Sequence, residues 1–278
     1  MNVKPFVKWV GGKRQLLAKI TPLIPEAFTR YIEPFTGGGA VFFSLSKRLQ
    51  DGHIPAWLND INPELVNAYQ IVRDRPDALL ADLHTHIHSK DYFLSIRSLD
   101  RQVGGLSSLT PVQRASRFIY LNRTAFNGLY RVNAKGQFNV PFGRSKNPAI
   151  AAADPPHSCS KALQKVTISC SSFDKLLPHT NEGDFIYLDP PYIPLNKTSY
   201  FTSYSQTGFG HTEQQKLADL VRDMDKRGVR FLASNAYVPE LNNLYSGFTI
   251  IEVQATRAIN ANKDGRHAIS EALITNIL

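Results

Sequence analysis

The sequence predicts an α/β fold, a mainly parallel sheet built from both ends of the chain with a mainly helical domain inserted between them. Three observations carry that prediction. Strand-like and helix-like stretches alternate over residues 30–72 and again beyond 166, the pattern of parallel strands joined by helical crossovers. A Gly37-Gly38-Gly39 turn joins the first strand to the first helix. A basic segment without acidic residues then interrupts the alternation. The predicted bounds are 1–62 and 158–278 for the discontinuous α/β domain, and 63–157 for the insert with its linker.

Each element has a local reason. Residues 30–35 form a short strand, and Ala40 to Leu49 a helix with Val41, Leu45 and Leu49 on one face. Residues 54–59 lead into a second strand that ends at Asp60. Asn62 and Pro63 open the next helix, because Asn accepts free amides and Pro suits the first turn. Leu65, Tyr69 and Val72 line that helix. Residues 76–110 suggest broken helices, and Thr110-Pro111 starts another, with Ala115, Phe118 and Ile119 inward. Residues 122–148 suggest mostly loop, and the Pro/Ala-rich stretch 147–157 a linker. Strands are expected at 166–170, 184–188, 229–234, 248–254 and 270–277. Thr212 is expected to cap a helix with Leu217, Leu220, Val221 and Met224 at helical spacing, stopped by Gly228. With no helix between them, the last two strands should form an antiparallel edge pair.

Composition narrows the function classes. Of 278 residues, 42% are hydrophobic and 20% charged, an ordinary globular balance. No apolar run approaches the roughly 18 residues of a membrane span, and Met1-Asn2-Val3-Lys4-Pro5-Phe6 has no apolar core of signal-peptide length, so no secretory leader is expected. A cytoplasmic, non-membrane protein is expected. Cys159 and Cys170 suggest two ordinary reduced thiols. No Cys/His cluster has the spacing of a metal site, so no metal is expected; His84, His86 and His88 are expected at the surface. The net charge is +9. From Arg101 to Ala153 there is no acidic residue but eight cations: Arg101, Arg114, Arg117, Arg123, Arg131, Lys135, Arg144 and Lys146. Aromatics are interleaved with them, a combination suited to phosphates and bases.

Two ends of a site can be placed. Ligands of an open parallel sheet bind at the carboxyl ends of its strands. The Gly37–Gly39 turn offers bare backbone there, and Asp60, 21 residues beyond Gly39, is placed to accept hydrogen bonds from ribose hydroxyls. The pair signals a nucleoside-containing cofactor. A dinucleotide fingerprint fails at Phe42, and a P-loop fails because Arg14 follows Gly11-Gly12-Lys13. The other end is Asp189-Pro190-Pro191-Tyr192, directly after the apolar strand 184–188. The Asp189 carboxylate and the Pro190 carbonyl can fix the two N–H bonds of an exocyclic amine such as adenine's, freeing its lone pair toward a methyl donor. Consecutive prolines stiffen the loop, and Tyr192 offers a flat face for a base swung out of the helix. Asp154-Pro155-Pro156-His157 shares three of these letters but follows Ala-rich loop, and is expected to be linker.

The chain resembles the Dam-type adenine-N6 DNA methyltransferases. The resemblance rests on Phe6-Val7-Lys8-Trp9-Val10-Gly11-Gly12-Lys13, Glu33-Pro34-Phe35-Thr36-Gly37-Gly38-Gly39, Asn59-Asp60-Ile61-Asn62, Asn122-Arg123, Asn127-Gly128-Leu129-Tyr130-Arg131, Phe138-Asn139-Val140-Pro141-Phe142-Gly143 and Asp189-Pro190-Pro191-Tyr192, in that order. It implies a Rossmann-like S-adenosylmethionine-dependent methyltransferase sheet with an inserted DNA-recognition domain. S-adenosylmethionine would be held by Trp9, Lys13, Phe35, Gly37, Gly39, Asp60, Phe173 and Asp189, with Asp189, Pro190, Pro191 and Tyr192 catalytic.

The resemblance also implies a target, GATC in double-stranded DNA, reached by base flipping. Arg131 would read a guanine, Leu129 and Pro141 would lie near a thymine methyl, Phe126 would wedge into the stack and Asn127 would support the opened pair. Lys8 would touch the outer edge of the site, with Arg123 and Arg144 completing the DNA contacts. Phe126 stands where the best-known members have Tyr, and Ser145 where an aromatic is common; the second departure bears on flanking preference. Related folds that methylate RNA, cytosine N4 or protein glutamine usually carry Asn or Ser in place of Asp189. A non-catalytic DNA-binding regulator is the other class, and no site residue is broken in that sense. The chain is expected as a DNA-associated monomer, and any cognate restriction endonuclease of the same system would act without stable contact.

Overall fold

The computed structural model describes residues 3–9, 11–151, 154–194, 209–256 and 268–277. In chain order its elements are α1 (Leu17–Ile20), β1 (Arg30–Glu33), α2 (Ala40–Asp51), β2 (Ala56–Asp60), α3 (Pro63–Asp74), α4 (Pro76–Leu83), α5 (Lys90–Ser98), α6 (Pro111–Thr124), α7 (Asp154–Leu163), β3 (Thr167–Cys170), α8 (Phe173–Leu176), β4 (Asp184–Leu188), α9 (His211–Lys226), β5 (Arg230–Ala236), α10 (Glu240–Leu244), β6 (Thr249–Thr256) and β7 (Ala268–Thr275). They fall into two units. The first holds residues 1–12, 37–50 and 62–170, and the second 13–36, 51–61 and 171–278.

The second unit carries strands in the order β2-β1-β4-β5-β7-β6. β1 pairs in parallel with β2 and β4, and β4 with β5. β7 runs antiparallel to β5 and to β6, so the expected antiparallel pair closes this edge. Every residue of β4 is buried, which is why Asp-Phe-Ile-Tyr-Leu shows no alternation: a parallel strand covered on both faces is apolar throughout. α9 buries Leu217, Val221 and Met224 in a core that also holds Leu188, Phe231 and Ile274. That helix starts earlier than expected. Gly210, not Thr212, is its N-cap, because the Glu213 carboxylate reaches back to accept from the Gly210 N–H (2.7 Å) and satisfies that free amide. Gly228 (φ +74°) ends the run as expected. β1 and β4 are parallel neighbours, with Ile32 opposite Ile186. The segments that follow Glu33 and Leu188 therefore emerge at the same edge of the sheet.

The first unit is mainly helical. Asn62 Oδ1 accepts from the amides of Glu64 (3.1 Å) and Leu65 (3.2 Å) and caps α3. Thr110 and Gln113 form a reciprocal cap on α6. α6 packs against α3, α4 and α5, and Ala115, Phe118 and Ile119 are buried as the spacing predicts. β3, the seventh strand, follows α7 in this unit. Two expectations are corrected. The stretch 147–157 is not linker throughout: α7 begins at Asp154, and the Pro pair fits because prolines in a first turn give up amides that have no helical partner. His86 is not a surface residue. Its ring stacks on Tyr120 (4.5 Å between centroids), with Nδ1 2.9 Å from Tyr92 Oη and Nε2 2.9 Å from Ser116 Oγ.

Candidate active site

In the second unit, Asp189 leaves the carboxyl end of β4 and meets Lys13, whose Nζ lies 2.8 Å from its Oδ1. Lys13 sits in a 3-10 turn, Lys13–Gln15, and is only 5% exposed, Asp189 23%. The same Nζ lies 4.6 Å from the centre of the Tyr192 ring, within cation–π reach. The Tyr192 hydroxyl donates to Glu271 Oε2 (2.6 Å) on β7. Burial pushes the Asp189 carboxyl above the usual aspartate range; the Lys13 ammonium pulls it back, and the Glu271 charge adds to the rise. Burial, and after it the charges of Asp189 and Glu271, push the Tyr192 phenol far above its ordinary value. Tyr192 therefore stays neutral, a donor at its rim and an apolar face at its ring. Pro190 is buried and Pro191 exposed. The Pro191 carbonyl accepts from Gln214 Nε2 (2.7 Å).

The turn after β1 is clamped by Asn59, a buried residue at the end of β2. Its Nδ2 donates to the carbonyls of Pro34 (3.1 Å) and Ser171 (2.9 Å), and its Oδ1 accepts from the Ser171 amide (3.1 Å). The clamp brings Phe35 and Phe173 together at 5.4 Å, with Phe209 5.7 and 5.5 Å from them. Asp60 follows Asn59 and is half-buried. Phe173 is buried at 6% exposure, and Phe35 and Phe209 are half-buried.

In the first unit, Gly37 (φ +48°) and Gly39 (φ +65°) hold left-handed backbone, which side chains rarely adopt. A Cβ on Gly37 would lie 2.6 Å from Trp9 Cδ1, and one on Gly39 2.6 Å from Tyr69 Oη. The glycines thus make room for the protein's own aromatics. Trp9 is half-buried and stacked near Phe118 and Tyr130, both at 6.3 Å.

The basic segment of the same unit divides in two. Arg114 pairs with Glu64, Arg117 and Arg101 with Asp100, and Arg123 Nη2 donates to the Phe6 carbonyl (2.6 Å). Arg123 is half-buried, and burial lowers its pKa. These four cations are committed inside the unit. Lys8, Phe126, Asn127, Arg131, Lys135, Pro141 and Arg144 are exposed, and Leu129 is half-buried. Asn122, fully buried, ties several of them down: its Oδ1 accepts from the Lys8 amide (2.8 Å), and its Nδ2 donates to the carbonyls of Lys8 (2.7 Å) and Gly128 (2.8 Å). Asn127 adopts φ +55°, and the Phe126 amide donates to the Pro141 carbonyl (2.9 Å). Arg131 Nε donates to Asn139 Oδ1 (2.8 Å). Sequence reasoning missed Glu271, Gln214 and Asn235, which carry no motif, and gave Asn59 and Asn122 no role.

A chain that joins a parallel sheet, with an acidic Pro-Pro-Tyr loop at its carboxyl edge, to a separate basic helical unit has the organisation of a nucleic-acid-modifying transferase. The sequence profile of the D12 class N6 adenine-specific DNA methyltransferases matches residues 9–259, and the chain belongs to that family. The chain is 44% identical to the type II methyltransferase M1.LlaDCHI of Lactococcus lactis subsp. cremoris, over 99% of this chain and 96% of the relative. It is 41% identical to the type II methyltransferase M.MjaIII of Methanocaldococcus jannaschii, over 99% and 100%. It is 32% identical to the DNA adenine methylase of Escherichia coli strain K12, over 97% and 94%. It is an enzyme of this class, acting on adenine in DNA with S-adenosylmethionine as the methyl donor the family implies. Among the described residues no helix is long and apolar enough to cross a membrane, and no cluster of His, Cys, Asp and Glu could hold a metal ion.

Proposed function

We propose that this enzyme methylates adenine N6 within GATC in duplex DNA and swings the target base out of the helix to do so. The observation that carries the reading is the Asp189–Lys13–Tyr192 constellation at the end of β4. Lys13 supports the ionised Asp189 against the cost of burial. The carboxylate accepts one N–H of the target amine and the Pro190 carbonyl accepts the other. Positive charge that develops on the nitrogen meets the carboxylate, and the Tyr192 ring stacks on the flipped base. S-adenosylmethionine, when bound, supplies an electrophilic methyl on sulfur. The half-buried Asp60 carboxylate suits its ribose hydroxyls, and the Phe35 and Phe173 rings suit its adenine; Trp9, Gly37 and Gly39 keep the cofactor roles that the family pattern gives them.

For target choice, Arg131 is exposed and its Nε is held by Asn139, an arrangement that supports a bidentate contact to guanine O6 and N7. Leu129 and Pro141 suit the thymine methyl, Phe126 the wedge and Asn127 the opened pair, with Lys8 and Arg144 on the outer contacts. Arg123, spent on Phe6, supports this surface from beneath. On this reading residues 63–157 form the recognition domain, and the enzyme acts as a monomer, with any cognate nuclease not in stable contact. Asp189→Ala should abolish single-turnover methylation while duplex binding survives. Arg131→Ala should relax selection at one position of the site, by about 1–3 kcal/mol, whereas Lys135→Ala should leave the ranking of sequences intact. Methylation rates on all single-base variants of GATC measure both; equal slowing on every sequence would leave Arg131 a phosphate contact only.

A further inference from the structure

We propose that Gln214 and Asn235 are positioning residues for methyl transfer, a buried pair of amides that fixes the backbone on both sides of Tyr192. The inference rests on the assignment of the Asp189–Tyr192 loop as the catalytic one. Asn235, near the carboxyl end of β5, is fully buried, and Gln214, in the first turn of α9, is 1% exposed. Asn235 Oδ1 accepts from the amides of Ile193 (3.0 Å) and Ala236 (2.9 Å). Its Nδ2 donates to Gln214 Oε1 (3.2 Å), and Gln214 Nε2 donates to the Pro191 carbonyl (2.7 Å).

The polarity of this relay is forced. Two backbone N–H groups face one side of the Asn235 amide, so that side is the oxygen and the other side donates. Gln214 must then present its oxygen to Asn235 and its nitrogen to Pro191; turning either amide over would set donor against donor or acceptor against acceptor. The relay therefore recognises the Pro191 carbonyl and the Ile193 N–H, the neighbours of Tyr192 on either side. Pro190 and Pro191 have no N–H of their own, so the loop cannot be pinned there by its own amides. Glu271 holds the far end of the same side chain through its hydroxyl. Tyr192 is thus fixed at its backbone and at its rim, and the ring beside Asp189 keeps one orientation. None of these groups touches a reacting atom; they act through Tyr192 and the loop.

Gln214→Leu removes both polar contacts. Gln214→Glu keeps the acceptor for Asn235 and removes the donor to Pro191. Gln214→Asn, one methylene shorter, keeps the amide and loses the reach. The full-length protein would be assayed in single turnover on a GATC duplex at saturating S-adenosylmethionine, with binding of both substrates measured separately. A 2-aminopurine at the target position reports base extrusion. The expected result is a methylation rate lower by about 10- to 100-fold, the scale of a small misplacement of reacting groups, with both dissociation constants unchanged and extrusion intact but less ordered stacking. In a Tyr192→Ala background the same Gln214 change should cost less than it does alone, because part of its effect runs through that ring. A wild-type rate in any folded Gln214 variant, or losses that multiply in the double variant, overturns the proposal. If Gln214→Leu does not fold, the Glu and Asn variants read the same prediction. Asp189→Ala and Tyr192→Ala run alongside: wild-type rates there would remove the loop from catalysis, whereas their loss with intact Gln214 variants would remove only the relay.

Discussion

Asp100 is the residue whose removal should be felt most in the first unit. Its carboxylate is 5% exposed and faces Arg117, itself 4% exposed, at 2.9 Å. It also accepts from the Phe138 amide (2.7 Å) and from Arg101. Asp100→Ala leaves a buried guanidinium with only the carbonyls of Ile96 and Arg97 (both 2.9 Å) as partners, and a buried amide with none. Breaking a buried ion pair from one side costs about 3–5 kcal/mol. The Phe138 amide by itself would account for about 1–3 kcal/mol, but the groups share one carboxylate and are not to be summed. At about 2–4 °C per kcal/mol for a unit of this size, the melting temperature should fall by roughly 6–20 °C. Asp100→Asn, which keeps acceptor capacity and loses the charge, should fall between. Differential scanning calorimetry on the three proteins decides it. A loss under about 1 kcal/mol, the range of an exposed pair, would refute the reasoning. Phe138 precedes Asn139, the partner of Arg131, so the GATC selectivity proposed above should deteriorate in Asp100→Ala at temperatures where the protein is still folded.

Further outcomes can be measured with the same material. Burial lowers the His86 pKa, with Asp82 opposing. The unfolded chain therefore takes up a proton near the ordinary value of about 6.5 while the folded one resists it. The contribution is complete above that pH and is lost as pH falls below it. Wild-type melting temperature should drop between pH 7 and pH 5.5 more steeply than that of His86→Gln; parallel curves would dismiss the effect. On the proposed mechanism activity requires ionised Asp189, whose pKa burial raises, so the acid limb of the rate profile should lie above the ordinary aspartate value of about 3.9. Lys13→Met should move that limb to still higher pH, and an unmoved limb would show that Lys13 does not sustain the charge. Gly39→Ala forces left-handed backbone on a residue with a Cβ, at about 1–2 kcal/mol, and drives that Cβ against Tyr69. An unchanged melting temperature would mean the turn relaxes freely.

Much of this architecture can be read from local signals. Asn62-Pro63 and Thr110-Pro111 cap helices where their chemistry says they should, and Asp184–Leu188 has the unbroken apolarity of a central parallel strand. Asp189 and Lys13 belong to motifs that mark both for the site, but the motifs do not predict their ion pair. Glu271, Asn235 and Gln214 belong to none. They act on Tyr192, Ile193 and Pro191 across 79, 42 and 23 positions of sequence, and nothing in the neighbouring residues marks an Asn or Glu that works at such a distance. The charge of the basic segment was legible only in sum. Its partners Asp100 and Glu64 lie outside the acid-free window, so a window count treats Arg101, Arg114 and Arg117 as surface charge. His86 failed for the same reason: its neighbours in sequence are polar, and its shell comes from Tyr92, Ser116 and Tyr120.

The place of Glu271 has a consequence for biosynthesis. β7 is made after every other strand described, and it supplies both the carboxylate that holds Tyr192 and the antiparallel partner of β5, with Glu271 opposite Ala236 beside Asn235. A ribosome-bound chain that has emerged as far as β5 carries Asp189, Lys13 and Tyr192 but lacks the strand that orients the ring. Contacts of such long sequence separation form late. A nascent chain would therefore complete its first unit before the Tyr192 ring gains its anchor, and the methylation site proposed here would stay unformed until the sheet is closed.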